Sequence, residues 1–156
     1  MKRFFETNTH KASARVTINS FMIGSLFFIL TLVWSLNPSK FSIYLVAQIV
    51  FAIPLLFVSS LAYAKIGYWQ DIKMWDAFGW FTNNIGSIFI LNVVGLMTVT
   101  VNRNLAALYF LLIIILMAIY SVINVVYKPA TLKEKLFKFS FFLLILISGG
   151  ILPAFL

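Results

Sequence analysis

Cysteine is absent from this 156-residue chain, which excludes disulfides, thiolate nucleophiles and cysteine-based metal sites. Charge is scarce: 10% of residues are charged, against about 25% in soluble domains. The acids number four, Glu6, Asp71, Asp76 and Glu134, and His10 is the only histidine. A lone histidine in a tail has no partner with which to form a general base or a ligand set. Asp71 and Asp76 are five residues apart with no histidine or third acid beside them, a poor metal site. No glycine-rich phosphate loop occurs. These absences predict a non-catalytic protein without cofactor or metal.

Apolar residues make up 62% of the chain, with 17 Phe and a mean hydropathy of +1.01. That composition is outside the range of soluble domains and within that of integral membrane proteins. A helix needs roughly 20 apolar residues to cross the hydrocarbon core. Polar punctuation divides the chain into five such runs, about 17–36, 41–64, 78–101, 105–127 and 136–156. The first stops at Asn37-Pro38-Ser39-Lys40, a turn signal, and the third at Asn102-Arg103-Asn104. Thr131-x-x-Glu134 has the spacing of a capping box ahead of the fifth. The stretch around Trp69 to Trp75 is a weak candidate for an interfacial helix. The expected fold is one all-α domain, a polytopic transmembrane helical bundle of five spans. The first run is too long for a signal h-region and reads as a retained helix.

Orientation follows from the cations, because Lys and Arg accumulate in short cytoplasmic loops. With the N-terminus inside, Lys2, Arg3, Lys11, Arg15, Lys65, Lys73, Lys128, Lys133, Lys135 and Lys138 lie inside and only Lys40 and Arg103 outside, ten against two. All four acids fall on the inner side too, and none lies in an apolar run. The predicted topology has a cytoplasmic N-terminus and an outside C-terminus, in a prokaryotic plasma membrane. The surplus of +8 flanks spans rather than forming one basic face, so it points to anionic headgroups and not to nucleic acid. Lys128, Lys133, Lys135 and Lys138 are the expected contacts for anionic lipid.

Within the third run, Trp80 to Gly95 reads WFTNNIGSIFILNVVG, with three amides in an apolar stretch. On a helix, Asn84, Ser87, Leu91, Gly95 and Thr98 share an arc of about 80°. Phe89, Ile90, Val93, Leu96 and Met97 occupy the other side and are expected to face lipid. Weaker polar seams join Ser20, Gly24, Thr31 and Ser35 in the first run and Gln48, Ala52, Ser59 and Ala62 in the second. Asn124 lies near Tyr120, Met117, Phe110 and Ala106 in the fourth, and Ser148-Gly149-Gly150 precedes Pro153 in the fifth.

Amides facing acyl chains would be left unpaired at a cost of several kcal/mol, so these should face protein or water. In one reading Gln48, Asn84, Asn92 and Asn124 bond one another and hold the helices together. In the other, Asn83, Asn84, Ser87, Asn92 and Thr98 line a polar path. Two functional classes follow: a transport or permeation unit, or an accessory subunit of a larger membrane complex. Either is expected to form a homo-oligomer or to bind another membrane subunit.

Overall fold

A computed structural model describes residues 9–36, 41–66, 73–127 and 132–156. The described residues are 96% helical. The helices are α1 (Thr9–Ser35), α2 (Ile43–Ile66), α3 (Lys73–Val101), α4 (Arg103–Tyr127) and α5 (Leu132–Leu146), which continues through a π-helical turn (Ile147–Ile151) into a short α6 (Leu152–Phe155). Five helices are long and apolar enough to cross a membrane, the fifth being Leu132–Phe155 taken as one.

Several helices begin before their apolar runs. The first starts at Thr9, the third at Lys73 and the fifth at Leu132, so each carries its cations on its opening turns. Long Lys and Arg stems permit this, because the head can reach water while the backbone is already helical. Trp75 and Lys73 therefore belong to α3, and residues 67–72 of the postulated interfacial helix lie outside the described residues, as do Lys128 and Thr131. The hairpin between α3 and α4 turns on one residue. Asn102 donates its N–H to Thr98 O at 2.8 Å, closing α3, and its Oδ1 accepts from the N–H groups of Asn104 and Leu105 at 2.9 and 3.0 Å. That is an N-cap, so one residue ends α3 through its backbone N–H and starts α4 through its side chain.

Successive helices run antiparallel. Arg15 near the start of α1 meets Tyr63 near the end of α2, and Ser59 of α2 donates to Gly79 O at the start of α3. Tyr109 of α4 donates to Leu91 O of α3, and Arg103 donates to Phe155 O at 2.5 Å. The ends bearing Arg15, Lys65, Lys73 and the lysines of α5 thus lie together and are called the basic end below.

α3 is the central helix, packed on one side by α2 and on another by α4, α5 and the π turn. This overturns the expected lipid face. Val93 and Leu96 are 0% and 4% exposed, and Phe89, Ile90 and Met97 pack against the core. Between Gly79 and Val99 only Val94 is exposed. A helix enclosed on several sides has no lipid stripe to detect, whatever its polar residues suggest.

On α1 the polar seam also faces the other way. Ser20, Gly24, Thr31 and Ser35 are exposed, while Ala12, Asn19, Leu26 and Val33, at seven-residue intervals, are buried. The hydroxyls tolerate exposure because each bonds a carbonyl four residues back: Ser20 to Val16 O at 3.0 Å, Thr31 to Phe27 O at 2.9 Å, and Ser35 to Thr31 O at 2.8 Å. A serine or threonine satisfied by its own helix needs no neighbour. On α2 Gln48, Ala52, Ser59 and Ala62 are all buried, and the helix continues through Pro54.

Candidate functional site

Two groups of polar residues are brought together by different helices. The first is a buried knot within the bundle. Asn92 of α3 is 0% exposed, and its Nδ2 donates to Gln48 Oε1 at 2.8 Å and to Ile145 O at 3.3 Å. Gln48 Nε2 donates to Gly149 O at 2.7 Å and to Tyr44 O at 3.1 Å. Gly149 lies in the π-helical turn, where widening of the helix changes which carbonyls are free to accept from outside. The knot therefore joins α2, α3 and the end of α5 through two side-chain amides and the carbonyls of Ile145 and Gly149.

Glycine is needed here for closeness. A Cβ on Gly150 would overlap Asn92 Oδ1 and stand 2.8 Å from Phe110 Cε1, and one on Gly149 would stand 2.7 Å from Asn92 Nδ2. Asn92 Oδ1 has no conventional donor among the described residues. With hydrogen in place of that Cβ, the Gly150 backbone can lie close against this oxygen. Across the knot a Cβ on Gly95 would overlap Phe110 Cζ. Phe110 of α4, 2% exposed, thus fills a hole formed by Gly95 and Gly150.

The second group lines a cleft of about 320 Å³ at the basic end. Three helices each supply one face. α3 gives Trp80, Asn83 and Asn84, α4 gives Met117, Tyr120, Ser121 and Asn124, and α5 gives Lys135, Lys138, Phe139 and Phe142. These are steps of three and four residues, so each set stacks along a single helix side. Arg15 of α1 completes the lining. Asn84 Nδ2 donates to Trp80 O at 2.6 Å and Asn124 Nδ2 to Tyr120 O at 2.9 Å, both within their own helices. Each amide keeps its Oδ1 and a second N–H for whatever enters the cleft.

Aromatic rings fix the wall. Trp80 lies 5.8 Å from Phe141, and Phe81 meets Phe141 edge-on at 5.5 Å. Lys138 Nζ stands 5.4 Å from the Trp80 ring centroid, a cation–π contact that positions the ammonium. Arg15 donates to the Tyr63 hydroxyl and lies 4.8 Å over that ring.

The proposed single seam on the third span is thereby divided. Asn83 and Asn84 line the cleft with Asn124, whereas Asn92 and Gln48 form the knot. Ser87 Oγ contacts Met22 Sδ at 3.7 Å, Gly95 receives Phe110, and Thr98 bonds Val94 O on its own helix. Of the four lysines, Lys135 and Lys138 line the cleft, Lys133 is exposed outside it, and Lys128 lies outside the described residues.

Asp76 was placed in a loop by sequence, but it lies in the first turn of α3 and is 2% exposed. It is within electrostatic range of Tyr63 and Lys138. Trp80, Arg15 and Asp76 escaped the sequence reading because their role depends on which helices meet. Their only sequence signal was aromatic and charged residues crowding the ends of apolar runs. Among the described residues no group of three His, Asp or Glu is placed to hold a metal. Comparison with known protein families, curated proteins and solved structures gives no match.

Proposed function

We propose that this is a non-catalytic transport unit of the membrane, N-terminus cytoplasmic and C-terminus outside, which takes its solute into the basic-end cleft. The cleft itself carries this reading. Its volume is at the small end of ligand sites, about 300–1,000 Å³, and its amides are held by their own helices with hydrogen-bonding groups to spare. Onward passage requires parting of the knot, and the π turn with Gly149 and Gly150 is where α5 can give.

The absence of cysteine supplies a direct test. Single cysteines at 83, 84 and 124 should react with a water-soluble thiol reagent, and those at 92 and 95 should not. In proteoliposomes Asn84→Leu should reduce flux while leaving the fold intact. Protection at 83, 84 and 124, or unchanged flux, refutes the reading. Orientation is tested by reporters fused after Leu156 and between Ile66 and Lys73, which should report opposite sides.

An accessory role is favoured by a different observation. Gly24 on α1 faces open space beside Ser20, Phe21 and Phe28, a shallow groove into which another helix fits closely. Purification in mild detergent separates the two. A stoichiometric foreign chain supports an accessory subunit, and a homo-oligomer or lone chain supports the transport unit.

A further inference from the structure

We infer that the cleft is an anion site, anchored by Lys135, for a ligand with a phosphate-type head and an apolar body. This deepens the transport reading and rests on it, since it names the solute class of the same cleft.

Three cations line the cleft and no acid does. They are not equivalent. Arg15 is held by Tyr63, and Lys138 sits over Trp80 within the fields of Glu134 and Asp76. Lys135 differs from both: its Nζ is buried and has no hydrogen-bond partner among the described residues. Lys135 and Lys138 are also close enough to repel. An ammonium withdrawn from water and left unpaired is costly, and a bound anion removes both that cost and the repulsion. An ammonium suits phosphate as a point charge, while the N–H groups of Asn83, Asn84 and Asn124 can donate to its remaining oxygens.

The lining is graded along its length. On α5 it passes from Lys135 and Lys138 to Phe139 and Phe142, and on α4 from Asn124 and Ser121 to Met117. Seven helical residues span about 10 Å. Charge at the basic end, amides next and apolar side chains deepest match a ligand whose anionic head stays near the surface and whose apolar part enters the bundle.

The full chain in mild detergent is the material for the test, using native mass spectrometry. Phosphatidylglycerol should be retained about tenfold more strongly than phosphatidylcholine, and Lys135→Gln should abolish that preference. Lys135→Arg should restore it, which excludes misfolding as the cause, and Lys133→Gln should leave it intact. Inorganic phosphate, added as competitor, distinguishes the sources. Displacement of the lipid at millimolar phosphate assigns the site to free phosphate-type solutes, and resistance assigns it to a lipid headgroup. Equal effects of Lys133→Gln and Lys135→Gln, or absence of any preference for anionic lipid and any binding of phosphate, overturn the proposal. Anion binding without flux sinks the transport reading alone. Flux indifferent to Lys135 sinks the anion site alone.

Discussion

Replacing Gly150 or Gly95 by alanine is expected to destabilise the bundle by about 1–3 kcal/mol in either case, the usual range for overpacking a filled core. The two substitutions strike the same ring. A Cβ at 95 overlaps Phe110 Cζ, and one at 150 stands 2.8 Å from Phe110 Cε1 while overlapping Asn92 Oδ1. The ring cannot yield to both, because it is buried and bordered by Tyr109 and Phe155 at centroid distances of 5.5 and 6.5 Å. The double substitution should therefore differ from the sum of the singles, as residues sharing a partner do. Phe110→Ala should cost about 3–5 kcal/mol. In that background Gly95→Ala should become nearly neutral, since the clashing ring is gone. Unfolding by titrated denaturing detergent, with helicity as readout, gives all five values. Additivity of Gly95→Ala with Phe110→Ala would show that the hole is not what makes glycine necessary.

Asn92→Leu is expected to cost up to about 2 kcal/mol, whereas Asn84→Leu should cost less than about 0.6 kcal/mol. Both remove an amide from the same helix, so composition and propensity predict similar effects. The difference is in the partners. Asn92 joins α3 to Gln48 of α2 and to Ile145 O of α5, and its loss strands Gln48 Oε1 in the interior. Asn84 bonds only Trp80 O, one turn back on its own helix. A leucine at 92 would also place methyl groups, larger than the amide atoms and unable to hydrogen-bond, where Asn92 Nδ2 and Oδ1 lie close against Gly149 and Gly150. The same unfolding assay applies, and Gln48→Leu should show coupling to Asn92→Leu in a double-mutant cycle. Equal losses at 84 and 92 would mean that the knot does not hold the helices together.

The amides illustrate how far a one-dimensional reading reaches. Sequence identified every amide that proved notable in the spans except Asn19, and it recognised that each must face protein or water. It did not separate glue from lining. The division between Asn92 and Asn84 depends on α3 lying at the centre of the bundle, with α2 on one side and α5 on the other. In a helix enclosed in that way, polarity no longer marks the buried side, which is why Val93 and Leu96 were assigned to lipid and are buried instead. The hydroxyls of α1 misled in the opposite sense, because back-bonding to carbonyls lets serine and threonine face outward at no loss.

What the sequence alone determined is the class of the molecule and its coarse layout: hydropathy and run length dictate five membrane-length helices, since no other backbone arrangement of such segments satisfies its polar groups in lipid. Only tertiary structure decided which residues act together. Lys135 gains meaning because α4 and α3 close over it, Asp76 because α3 begins a turn and a half before its apolar run, and Gly150 because the π turn brings its Cα against Asn92. The physical reason is common to all three. In lipid the hydrophobic effect fixes which segments are buried in the membrane but does not choose how helices pair, and that choice is left to close packing and hydrogen bonds between residues distant in sequence.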